Sequence, residues 1–196
     1  MKVVNNNSKK KFFAFIFIYF MLMVGDMLLT YIGTPDLKDE ANPLVKVFGL
    51  GWGALIGHMM FGFLLYSGFV YYTFIRYKRP VLQCEGYKQY VSMLLYGCLD
   101  RKKAKQHVEW KNYWAIFGNT LAIGYIIIRV LIIIDWIGAL NVNPICHWFA
   151  VKFRSIMPIY LGMSLLGIVI MIVGYYCVLY NWYRMNKKQL ESVKDT

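Results

Sequence analysis

The chain has 196 residues, of which 59% are apolar and 16% charged, with a formal net charge of +12. A globule this small exposes too much of its surface to hide that apolar excess from water, so a soluble domain is excluded, along with a disordered chain and a disulfide scaffold. The remaining solvent is the bilayer, and the sequence reads as an all-α integral membrane protein. A single membrane domain over residues 1–196 is expected, with four transmembrane helices as two hairpins plus an amphipathic cytoplasmic helix.

About 30 Å of hydrocarbon takes roughly 20 helical residues to cross. The first such run, about 12–32, follows Lys9-Lys10-Lys11. It is too long for a signal core and lacks a small-x-small cleavage site, so it reads as an uncleaved signal-anchor. It carries Asp26, outward of its middle, with Thr30 one turn later. The following outer loop holds Glu40, Asn42 and Pro43, and its prolines mark ordered turns. The second span, about 48–72, contains His58 at a depth similar to that of Asp26. Gly53 and Gly57 give it a small-xxx-small pair, which points to close internal packing or to a homo-oligomer seam.

The loop at about 77–112 is more than a connector. Tyr87, Tyr90, Val91, Leu94, Leu95 and Cys98 recur at helical spacing. This predicts an amphipathic helix on the inner leaflet. Arg101, Lys102, Lys103 and Lys105 follow it, a basic cluster suited to anionic membrane lipid or to a protein partner on the cytoplasmic side. The third span, about 114–137, carries Arg129 at the depth of Asp26 and Asp135 nearer the outer interface. A second outer loop begins Asn143-Pro144-Ile145 and repeats the Asn-Pro-aliphatic start of 42–44, with Phe149 matching Phe48. A duplicated hairpin and a chance match both fit that pattern. The fourth span, about 157–179, is interrupted by Gly162, Gly167 and Gly174.

Orientation follows from the lysines and arginines outside the spans. Seventeen lie in the two tails and the middle stretch from Arg76 to Lys111, against four in the outer loops. Both termini and the middle loop are therefore expected in the cytoplasm. Tyrosines and tryptophans cluster at the same predicted edges, as an aromatic belt does. The positive charges sit between apolar runs rather than along a binding stripe, which argues against nucleic acid. Cys84, Cys98, Cys146 and Cys177 show no disulfide or zinc spacing.

Ionisable groups at membrane depth are costly and demand a reason. One reading of Asp26, Thr30, His58, Arg129 and Asp135 is a polar network that fixes helix packing. The other is a proton or ion path, with His58 as the exchanging group. A metal set of Asp26, Glu40 and His58 lacks any short ligand motif, and no catalytic constellation appears. No metal, cofactor or catalytic residue is therefore expected.

The run Gly25-Asp26-Met27-Leu28-Leu29-Thr30, followed by Glu40-Ala41-Asn42-Pro43-Leu44, resembles a signature of uncharacterised bacterial multi-span membrane proteins. The resemblance covers residues 24–58. It implies that Asp26, Thr30, Glu40, Asn42 and Pro43 form one unit at the outer mouth of the first hairpin. Together these readings point to a small non-enzymatic accessory or regulatory protein of the bacterial cytoplasmic (inner) membrane, working through its basic loop. By analogy alone, stress and phage-defence systems use such accessories. The alternative is an ion or proton channel, or a small transporter, using Asp26, His58 and Arg129.

Overall fold

A computed structural model describes residues 6–38, 45, 47–99, 108–156 and 159–194. The described residues are mostly helical, without strands. In order, the helices are α1 (Asn6–Gly33), α2 (Trp52–Tyr71), α3 (Tyr87–Tyr96), α4 (Trp110–Ala139), α5 (Pro144–Ile156) and α6 (Ile159–Lys194). Four stretches are long and apolar enough to cross a membrane: Ser8–Gly33, Trp52–Arg76, Trp110–Ala139 and Leu161–Ser192. In a helix every backbone polar group is satisfied within its own segment, as hydrocarbon requires.

Helix α4 is the hub, packing against α1, α2, α3, α5 and α6. Small residues make this contact set feasible. A Cβ on Gly118 would press on the Thr73 hydroxyl and lie 2.9 Å from the Phe69 carbonyl oxygen; one on Gly124 would lie 2.9 Å from Met171 Sδ. From the α6 side, a Cβ on Gly174 would come within 3.1 Å of Thr120. Gly53 and Gly57 are different, since a Cβ at either would meet nothing within 4 Å. The small-xxx-small pair of α2 therefore does no packing within the described chain.

Two buried clusters result. Tyr19, Tyr66, Val70 and Ala122 join α1, α2 and α4. Tyr90, Leu94, Ala115, Ile116, Val178, Leu179 and Trp182 join α3, α4 and α6. Tyr90 and Leu94 of α3 are fully buried against protein in the second of these. Large apolar side chains such as Phe17, Leu64, Ile168 and Tyr176 remain exposed. In water such a surface would aggregate; in lipid it is solvated.

Helix α2 ends in a single π-helical turn, Tyr72–Arg76, closed by a bond from the Tyr77 amide to the Tyr72 carbonyl (2.8 Å). The chain then runs without helix to α3 and is fastened to α6. Asn186, almost fully buried, accepts from the Leu82 amide (2.9 Å) and donates to the Leu82 carbonyl (2.8 Å).

The connection between the third and fourth apolar stretches is largely helix α5. Asn143 is its N-cap: Oδ1 accepts from the amides of Ile145 (2.9 Å) and Cys146 (3.2 Å), and Pro144 takes the first helical position. Helix α6 runs well past residue 179, through Lys187 and Lys188 to Lys194.

Candidate functional site

The ionisable groups at membrane depth resolve into two ion pairs. Asp26 of α1 accepts a hydrogen bond from Arg129 Nη1 of α4. Both side chains are largely buried, 5% and 16% exposed. The Arg129 guanidinium also lies 5.8 Å from the Tyr19 ring. Tyr19 stacks on Tyr66 at 4.1 Å, and the Tyr66 hydroxyl donates to the Ala122 carbonyl (3.1 Å).

Further along α4, Asp135 pairs with Arg154 of α5 through Nη2 (2.7 Å) and Nε (3.4 Å). This fork geometry depends on close approach of α5 to α4. A Cβ on Gly138 would run into the Cys146 carbonyl and lie 2.8 Å from the Ala150 Cβ. The His147 ring, through Nδ1, sits 3.0 Å from the Gly138 carbonyl oxygen. Each buried carboxylate is thus matched by one guanidinium, the planar donor suited to it.

Of the residues singled out in the sequence, Asp26 and Arg129 come together, and Thr30 is buried one turn away on α1. His58 does not join them; it is exposed on α2, with no polar partner among the described residues. Glu40, Asn42, Pro43, Arg101, Lys102, Lys103 and Lys105 lie outside the described residues. Sequence reasoning missed Arg154, whose only signal was a cation three residues before the fourth span. Among the described residues no three His, Cys, Asp or Glu side chains gather closely enough to hold a metal ion.

The opposite end of α4 carries a second polar feature, a cavity of about 680 Å³ between the π-turn, the start of α4 and α3. Arg76, Lys78 and Lys111 line it, with Glu109 as the acidic member. Its wall is braced by hydrogen bonds. The Tyr72 hydroxyl donates to the Lys111 carbonyl (3.3 Å), the Tyr77 hydroxyl donates to Asn112 Oδ1 (2.7 Å), and Asn112 Nδ2 donates to the Leu94 carbonyl. Burial pushes the Tyr77 phenol well above its usual range, and the nearby phenols of Tyr90 and Tyr72 add to the shift. Beside it, burial pushes Tyr90 up to about 12. The Tyr90 hydroxyl has no hydrogen-bond partner among the described residues. Arg79 is committed elsewhere: its guanidinium reaches Met185 Sδ and Gln189 Oε1, both at 3.4 Å, and lies 5.8 Å from the Trp182 ring.

A third feature, a groove of about 540 Å³ between α4 and α6, is mainly aliphatic, with Asn119 and Asn181 among its few polar lining groups. No protein-family model matches the chain, and neither a curated protein nor a solved structure matches it.

Proposed function

We propose that this is a small non-enzymatic accessory protein of the bacterial cytoplasmic membrane, with both termini and the 77–112 loop inside. In this reading its spans form two hairpins, α3 is an amphipathic cytoplasmic element, and the basic loop engages a protein partner or anionic lipid. One observation carries it. Both buried carboxylates are already held by arginines, whereas Arg76, Lys78 and Lys111, at the other end of the helices, have no ion pair among the described residues. Charge matched in pairs fixes helix packing, and unmatched charge at an interface is available to a partner. His58, set apart from Asp26 and Arg129, weakens the conduction alternative.

Two measurements test the reading. Protein in liposomes is expected to pass no ions or protons across a range of pH and voltage; flux that disappears in a folded Asp26→Asn variant overturns the proposal. In native membranes, replacing Arg101, Lys102, Lys103 and Lys105 by Gln is expected to abolish a quantitative cross-link to a cytoplasmic partner. An unchanged cross-linking profile counts against the loop.

A further inference from the structure

The cavity beside the π-turn has the chemistry of an anion site. Arg76 reaches it because the π-turn ends α2 there, and Lys78 follows two residues on. Lys111 comes from the first turn of α4 and is positioned by the bond from Tyr72 to its carbonyl. Among the described residues, three cations against the one carboxylate of Glu109 leave the lining net positive. None of the three has an ion pair among the described residues. Like charges in excess repel one another, and a bound anion relieves that repulsion.

The remaining lining sets the ligand's shape. Leu82 and Met93 add apolar surface, and the Tyr72 and Tyr77 rings add aromatic surface at the end of the second apolar stretch. At about 680 Å³ the cavity is larger than one phosphate requires and lies within the range of small-molecule sites, roughly 300–1,000 Å³.

We propose that this cavity binds a phosphate-bearing anionic group, carried by an inner-leaflet phospholipid or by a free phosphate ester. The inference rests on the topology proposed above, which puts this end of the helices at the cytoplasmic surface. Arg76 supplies a planar fork for two phosphate oxygens, while Lys78 and Lys111 act as point charges.

The test uses the full chain in detergent micelles. Native mass spectrometry counts phosphatidylglycerol adducts, with phosphatidylcholine as the neutral control. Thermal midpoints are followed with inorganic phosphate and with glycerol 3-phosphate. Replacing Arg76, Lys78 and Lys111 together by Gln is expected to weaken phosphatidylglycerol binding roughly a hundredfold. Replacing Lys187 and Lys188 by Gln, which removes two cations outside the cavity, is expected to change it less than about twofold. The single variant Lys111→Gln, expected to lose roughly fivefold, keeps the test informative if the triple variant does not fold.

A lipid adduct lost in the triple variant, with no midpoint response to either soluble phosphate, identifies the lipid as the source. A midpoint rise with soluble phosphate in the wild type but not in the triple variant identifies a free phosphate ester. Lipid binding and phosphate response that survive in a folded triple variant overturn the proposal. Failure of the topology is read separately. Labelling of Cys84 and Cys98 by an impermeant maleimide on intact cells would place the cavity on the outer side without altering the micelle result.

Discussion

Breaking the Asp26–Arg129 pair at one partner is the most direct probe of why charge sits at this depth. Both side chains are largely buried, and among the described residues no second acid pairs with Arg129. Asp26→Asn removes the counter-charge and leaves the guanidinium over the Tyr19 ring, where a cation–π contact returns only about 1–2 kcal/mol. Removing one member of a buried pair costs about 3–5 kcal/mol, because the other charge is left uncompensated. Replacing both, Asp26→Leu with Arg129→Met, exchanges the pair for apolar volume. It should fall within about 1 kcal/mol of wild type. The double-mutant cycle, with Asp26→Leu and Arg129→Met as its singles, should therefore show a coupling of roughly 2 kcal/mol or more. Reversible unfolding in mixed micelles, followed by tryptophan fluorescence, measures the four proteins of the cycle and Asp26→Asn. An Asp26→Asn variant within about 0.5 kcal/mol of wild type would refute the reasoning. So would a double variant as unstable as the sum of the singles.

Other expectations come from equally local features. Tyr90→Phe removes a buried hydroxyl that has no partner among the described residues and should stabilise the protein by about 1 kcal/mol in the same unfolding assay. The Tyr90 phenol, raised to about 12, binds its proton more tightly folded than unfolded. Its contribution is fully present below pH about 10 and is lost as pH rises through about 12; Tyr90→Phe should lack that component of alkaline destabilisation. Gly118→Ala should cost about 1–3 kcal/mol, since its Cβ meets the Thr73 hydroxyl and the Phe69 carbonyl. Gly57→Ala, facing open space, should stay within about 0.5 kcal/mol. An impermeant maleimide applied to intact cells should label Cys146 and spare Cys84 and Cys98; the opposite pattern would invert the proposed topology.

The four spans were readable because an apolar run of about twenty residues has few alternatives to crossing a bilayer. Their ends were less readable. Helix α6 continues through Asn186 and Lys188 because Lys, Gln, Leu and Glu are good helix formers, so composition changes where secondary structure does not. Depth can be counted along a helix, which is why Asp26 and Arg129 were matched. Azimuth cannot be counted before the packing is known, and His58 shares their depth while facing away. Asn143-Pro144 illustrates a different ambiguity. The same dipeptide signals a turn or an N-cap followed by the first helical residue, and here it starts α5. Arg154 read as a loop charge for that reason. Arg76, Lys78 and Lys111 entered the sequence reading only as orientation signals, because nothing local shows that distant segments enclose one cavity.

Helix α4 links these observations into one physical argument. Its later half holds both buried ion pairs, through Arg129 and Asp135, and its first turn forms one wall of the cationic cavity. Between them, Gly118 and Gly124 let neighbouring helices approach closely. Two buried pairs and close glycine contacts resist rotation of α4, since turning it would strip the counter-charge from both acids at once. A helix fixed in azimuth at one end also fixes Lys111 and Asn112 at the other, some 25 Å away by roughly 1.5 Å per residue. The buried charges then need no transport role to account for their cost. They set the orientation of the cavity wall that carries Lys111.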